Sequence, residues 1–299
     1  MFLEQSLSYK NPFSLYILGS FVIILFTVFG QIPLTMVVID SGVTDASDPM
    51  ESIRALDKNL QLALLLLPFA VGFLGLWLVV SKLHNRTLRS IATSRSSMDW
   101  KRFFFAFAVW AAATSVFIAL DYLIQPENFI WNFKAGPFAL LFLIGIVLIP
   151  IQTSLEEYIF RGYLLQGFGG LFRNSWLPLL FTSVIFGSLH LFNPEVEKLG
   201  YWILVYYIGT GLFLGILTLM DQGIELALGF HAANNLITAL LVTSDWTAFQ
   251  TESVLIDTST PSLGAELLVT LLFLYPIFLW ITAKKYNWTD WKTKLTNRF

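Results

Sequence analysis

Three short stretches of this 299-residue chain hold the side chains that hydrolytic chemistry uses. Glu156-Glu157 is followed by Arg161, Phe186 by His190, and His231 by Asn234-Asn235. A carboxylate can take a proton from water. An imidazole can help hold that water, and imidazole N–H and carboxamide NH₂ groups are suitable donors for the oxyanion of a tetrahedral intermediate. One carboxylate, two imidazoles and one carboxamide therefore make a plausible set for hydrolysis of a peptide bond. Each stretch alone also has a plain structural reading. The acidic pair and Arg161 could be hydrated at an interface, His190 could be a hydrogen-bonded packing residue, and His231 with Asn235 could be a polar patch that joins helices.

The elements that must position these residues are membrane helices. The chain is 56% hydrophobic and only 13% charged, about half the charged share of soluble domains, and its mean hydropathy is +0.69. A spanning helix needs about 20 mostly apolar residues. Eight segments qualify or nearly qualify: roughly 14–39, 60–81, 103–124, 138–160, 176–192, 201–220, 223–242 and 264–283. The fifth and seventh are the weakest by hydropathy, and each contains a histidine. The expected fold is an all-α membrane protein, one polytopic domain over 1–299 built as a bundle of about eight transmembrane helices. Trp100, Trp131, Trp176, Trp202 and Trp288 fall near span ends, as interfacial belts do. Gly211 and Gly215 in the sixth span have GxxxG spacing, which fits a close helix crossing or simply ordinary small residues.

Charge patterning gives the orientation. Lys82, Arg86, Arg89, Arg95, Lys101 and Arg102 lie between the second and third spans, and Lys284, Lys285, Lys292, Lys294 and Arg298 in the C-terminal tail. The loop between the first and second spans is acidic, with Asp40, Asp45, Asp48, Glu51 and Asp57 against Arg54 and Lys58, and the 242–264 loop has Asp245, Glu252 and Asp257 and no Lys or Arg. This alternation predicts a multi-pass protein of the cell membrane with both termini cytoplasmic. With no cysteine in the chain, disulfides, thiolate metal sites and a cysteine nucleophile are excluded. Nothing in the sequence suggests nucleic-acid binding.

Ionisable groups inside a span are costly and are functional hypotheses by default. Glu157 and Arg161 stand at i, i+4 in the favourable order for an intrahelical ion pair. Glu156 lies about 100° round the helix and is left available for chemistry. Glu225 and Glu266, near span ends, are expected to face water, and His84 to be a solvated loop side chain.

The three stretches resemble the signature motifs of the CAAX-protease and bacteriocin-processing (CPBP, or Abi) family of intramembrane endopeptidases: E-E-x-x-x-R, F-x-x-x-H and H-x-x-x-N, in that order on separate spans. The resemblance covers roughly 138–242, the expected catalytic core. It implies an eight-helix bundle with a cavity in the membrane, in which Glu156 and His190 activate water. His231 and Asn235 would form the oxyanion site, with Glu157, Arg161 and Phe186 in support. The implied substrate is a membrane-associated peptide or protein. A glutamate mechanism needs no cofactor, whereas a metal-dependent one would place zinc on Glu156, His190 and His231, though without the HExxH spacing. The rival readings are a non-catalytic scaffold or an immunity or secretion accessory of the same fold, and a proton-coupled small-solute transporter. The transporter reading predicts repeat symmetry, which the sequence does not show. In the simple span scheme Glu156 and His190 fall at opposite ends of their helices, which no shared water could bridge; either span four continues past Arg161, so that Glu156 lies deeper, or Gly167 to Trp176, with Gly169-Gly170, is an interfacial turn that shifts span five.

Overall fold

The computed structural model describes residues 2–9, 11–40, 49–262 and 264–299, with side chains at 49–51, 265 and 266 left aside. Asp45 and Asp48 of the acidic loop, and the side chains of Glu51 and Glu266, lie outside the described residues. Among the described residues, eight long helical segments form the bundle: α1 (Phe13–Asp40), α2 (Lys58–Leu83), α3 (Trp100–Ile124), α4 (Ala135–Phe172), α5 (Trp176–Phe192), α6 (Ile203–Asp221), α7 (Glu225–Leu241) and α8 (Leu267–Lys285). Six are long and apolar enough to cross a membrane; α5 and α7, the two weak spans, are 17 residues each and fall short of that length. The chain is a multi-pass, all-α membrane protein.

The weak hydropathy of α7 follows from its place at the centre of the bundle. It packs against α3, α4 and α6, and 12 of its 17 residues are buried. A helix walled by other helices needs small and shape-matched residues more than lipid-soluble ones. Thus Gly229 has its α-carbon so close to the Phe103 carbonyl of α3 that a Cβ would sit 2.1 Å from the oxygen. Ala232 and Ala233 are likewise buried. Aromatic packing closes this side of the core: Trp110 lies 4.2 Å from Phe230, and Phe213 stacks on Tyr275 at 4.1 Å, centroid to centroid. On the other side Leu62, Leu66, Leu141, Ile149, Leu236 and Leu240 join α2, α4 and α7.

The Gly211/Gly215 spacing serves a close crossing. A Cβ on Gly211 would meet Ser183 Cα of α5 at 2.9 Å, and one on Gly215 would meet Leu179 Cδ1 at 2.3 Å. Among the interfacial tryptophans, Trp100, Trp131, Trp176 and Trp202 are exposed, while Trp288 is half-buried and donates to Asp221 at 3.3 Å.

Connections meet at the two ends of the bundle. At one end Phe2 N donates to Gln222 Oε1 at 2.7 Å, Ser94 N to Gln222 O at 3.0 Å and Phe299 N to Arg173 O at 3.0 Å. Both chain termini therefore share an end with the basic 82–102 loop. At the other end a small sheet forms, a feature the sequence reading does not anticipate. Strand β3 (Leu255–Asp257) runs antiparallel to β1 (Phe129–Trp131), with Phe129 opposite Asp257, and parallel to β2 (Val242–Ser244), with Val242 opposite Leu255.

Candidate active site

The α4 helix is much longer than its predicted span, and this removes the difficulty over depth. It does not stop near residue 160 but runs on as a π-helical turn (Tyr158–Leu164) and a further helix (Leu165–Phe172), so Gly167–Phe172 is helical and not a turn. Glu156 lies sixteen residues before the α4 end at Phe172, and His190 fourteen residues after the α5 start at Trp176. At about 1.5 Å per residue these are depths of roughly 24 and 21 Å from the shared turn, so both residues lie at one level. π turns occur often at functional sites; here the widened turn carries Arg161 directly after the acidic pair.

Glu157 and Arg161 pair as their spacing predicts. Arg161 Nη1 donates to Glu157 Oε1 at 2.9 Å, Glu157 is 0% and Arg161 1% exposed. Arg161 also reaches the Gly211 carbonyl at 3.4 Å, through the close crossing of α6, and lies 4.3 Å over the Phe186 ring. His231 of α7 places Nδ1 2.7 Å from the same Glu157 oxygen. Since that carboxylate accepts from Arg161, Nδ1 carries the proton, and Nε2 is directed to Glu156 Oε2 at 3.6 Å.

Glu156, part-exposed, takes a hydrogen bond at Oε1 from Gln152 Nε2 at 2.5 Å. Its Oε2 accepts none among the described residues. Gln152 Oε1 in turn accepts from Asn235 Nδ2 at 3.1 Å. Four of the sequence-derived residues are thus held in two adjacent hydrogen-bonded groups, Glu157 and His231 with Arg161 and Glu156 and Asn235 with Gln152, which face each other across the 3.6 Å between His231 Nε2 and Glu156 Oε2.

His190 is brought near but not into that chain. Its Nδ1 lies 2.9 Å from the Phe186 carbonyl, so Nδ1–H donates there and Nε2 keeps its lone pair. The ring stacks on Tyr207 at 4.1 Å. Phe186 touches both imidazoles, at 5.0 Å from His190 and 6.3 Å from His231 between centroids. Among the described residues, no three His, Asp or Glu side chains are grouped as a metal site requires. The Glu156, His190 and His231 set does not fit zinc as it stands.

Sequence reasoning missed Gln152, Trp110 and Tyr207 as members of this region, and it named Asn234 beside Asn235 without giving it a role. Gln152 carried a signal, since it stands one turn before Glu156 on the same face. Trp110 carried none, because it meets Asn234 only through tertiary folding.

A family model described as "Type II CAAX prenyl endopeptidase Rce1-like" matches residues 135–237, the stretch that holds every motif residue above. The Bacillus subtilis (strain 168) protein YyaK, itself uncharacterised, is 32% identical over 230 residues, which is 77% of this chain and 74% of that protein. The chain belongs to the Rce1-like family. No solved structure gives a significant match. The Rce1-like family is one of membrane proteases of the type II CAAX class, which supports protease activity here.

Two expectations about solvated residues need correction. Glu225 does not face water: it is 1% exposed and accepts from Arg95 at 3.2 Å and from the Asp99 backbone N–H at 3.3 Å. His84 is no solvated loop side chain: it is 3% exposed, its Nε2 lies 2.8 Å from the Tyr163 hydroxyl, and Tyr16 packs on its ring at 4.6 Å. In both cases the connecting loop folds back under the helices.

Proposed function

We propose that the chain is an intramembrane endopeptidase that hydrolyses a peptide bond of a membrane-associated protein or peptide, with water activated at Glu156. The observation that carries this reading is the division of labour between two adjacent carboxylates. Glu157 is buried and held by Arg161 and His231, while Glu156 keeps one oxygen free of donors on an accessible face.

In this reading Glu156 Oε2 accepts a proton from water as the water oxygen attacks the scissile carbonyl carbon. His190 offers its Nε2 lone pair to orient that water. The oxyanion takes a hydrogen bond from the second Nδ2–H of Asn235 and one from His231 Nε2 when that ring carries both protons. The proton on Glu156 then passes to the leaving nitrogen, the C–N bond breaks, and a carboxylate and an amine are released. No step of this reading routes through a metal.

The family description names prenylated CAAX substrates, and this makes a farnesylated C-a-a-X peptide the first probe to try. The decisive test incubates the protein in proteoliposomes with a panel of farnesylated and unmodified membrane-anchored peptides, with and without chelator. We expect one new peptide end by mass spectrometry, unchanged by chelator. No cleavage of any probe would favour the non-catalytic reading, and loss of cleavage with chelator, restored by zinc, would overturn the metal-free step.

We also propose that the end carrying both termini and the basic loop is cytoplasmic, from its excess of Lys and Arg. Reporter fusions after Asn59 and after Phe299 should report opposite sides; both on one side would refute the arrangement.

A further inference from the structure

We infer that Gln152 is a positioning residue, the last link of a one-way hydrogen-bond chain that starts at Trp110 and ends on Glu156. The chain runs through four bonds. Trp110 Nε1 donates to Asn234 Oδ1 at 3.0 Å, and Asn234 Nδ2 to Asn235 Oδ1 at 3.1 Å. Asn235 Nδ2 then donates to Gln152 Oε1 at 3.1 Å, and Gln152 Nε2 to Glu156 Oε1 at 2.5 Å.

Its direction follows from the chemistry of the first link. An indole N–H can only donate, so Asn234 must present its oxygen to Trp110. That leaves the Asn234 NH₂ for Asn235, which fixes the Asn235 oxygen inward and its NH₂ toward Gln152. Gln152 then has its oxygen engaged and only its NH₂ left for Glu156. All three carboxamides are therefore oriented by one indole, and the terminal acceptor is a carboxylate, the group that gains most from a donor. Successive bonds pointing the same way polarise one another.

The surroundings hold the chain in place. Trp110 is 6% and Gln152 4% exposed, and the indole is clamped by Phe230 at 4.2 Å and by Tyr275 and Phe278 at 5.9 Å each. Trp110 lies on α3, outside the three motifs and outside the 135–237 family match. The consequence for turnover rests on the proteolytic reading. Gln152 fixes Oε1 of Glu156 and so turns Oε2 to the accessible side, and it engages one Nδ2 proton of Asn235, leaving the other for the oxyanion.

Two variants test this. Gln152→Met keeps the length of the side chain and removes both its polar ends, and Trp110→Phe keeps an aromatic ring in the clamp and removes the donor. With the farnesylated peptide in proteoliposomes, we expect Gln152→Met to lower kcat roughly 10- to 100-fold, the fold-change of one hydrogen bond to a charged group, with KM within about twofold. Trp110→Phe should lower kcat roughly three- to tenfold. A rise in KM with kcat unchanged in either variant would overturn the positioning role. A second readout needs no substrate. The ¹⁵N-indole resonance of Trp110, identified by its absence in Trp110→Phe, should shift in Gln152→Met and in Glu156→Gln. An unmoved resonance in both would overturn the chain even if the protein proves to be a protease. A shifted resonance in a protein that cleaves no probe would leave the chain standing and the proteolytic reading refuted.

Discussion

Two groups of buried carboxylates in this molecule are built in opposite ways. At the turn between α6 and α7, Asp221 and Glu225 present four oxygens, and each has a donor. Asp221 accepts from Arg95 at 3.1 Å, from the Trp288 indole at 3.3 Å and from Arg102 in a short contact, and Glu225 from Arg95 and the Asp99 N–H. Arg102 is held further by Asp99 at 3.0 Å and by the Tyr286 ring at 3.9 Å. In the middle of α4, Glu156 and Glu157 also present four oxygens, but two of them, Glu156 Oε2 and the buried Glu157 Oε2, have no donor among the described residues. A closed network contributes position and fold. An open one leaves acceptor capacity that only a ligand, water or a proton can fill, and buried groups of that kind mark chemistry more often than architecture.

The contrast can be broken from either side. The largest effect on the fold should come from Arg161→Ala, which strips a fully buried ion pair and leaves the Glu157 carboxylate with the His231 Nδ1–H and no cation. Loss of one partner of such a pair costs about 3–5 kcal/mol. We expect a lowered unfolding temperature and lowered yield together with lost activity; a variant as stable and as active as wild type would show that the pair supports nothing. Asn235→Ala should behave in the opposite way, with turnover down about 10²–10³-fold, as for removal of one oxyanion donor, and an unfolding temperature close to wild type. Equal losses in stability and activity would mean that its role is packing.

A third region sharpens the comparison through pH. Burial, reinforced by the positive charge of Arg86, lowers the pKa of His84 to about 4 from an ordinary 6.5. His84 is thus neutral in the folded protein while the unfolded chain binds a proton below pH 6.5. Stability therefore falls as the pH drops from about 6.5 toward 4, by on the order of 3 kcal/mol for this group. Urea titrations at several pH values should show that slope, and His84→Gln should flatten it. A slope that survives the substitution would assign it to other groups.

The smallest effect belongs to the closed network. Arg102 is partly solvent-exposed, so Arg102→Ala should cost only about 1–2 kcal/mol and leave kcat of the folded fraction unchanged. A fall in kcat without a fall in stability would extend the site to the turn between α6 and α7.

The motif residues were legible because charge inside an apolar run is conspicuous and because i, i+4 spacing fixes a shared face: Glu157 with Arg161 and Phe186 with His190 meet as their spacing says. The depth of Glu156 was legible only as one of two options, a fourth span that continues past Arg161 or an interfacial turn over 167–176. Gly167 and Gly169-Gly170 read as a turn, yet they are helical because α4 presses against neighbours there, with Gly167 against Tyr16 and Gly169 against Leu3 and Phe299. Nor could the sequence show that His84, Arg86 and Glu225 are buried. A basic loop beside a membrane reads as solvated, and only the return of that loop under α4 and α7 supplies the partners. Trp110 illustrates the same limit, since its partner Asn234 is 124 positions away.

The most direct test of the division between the two carboxylate groups is Glu156→Gln in proteoliposomes, with peptide cleavage and unfolding temperature measured on one preparation. The substitution keeps the shape and the Gln152 contact but removes the base. The account predicts no detectable turnover and an unfolding temperature within a few degrees of wild type. Full cleavage by Glu156→Gln would contradict it.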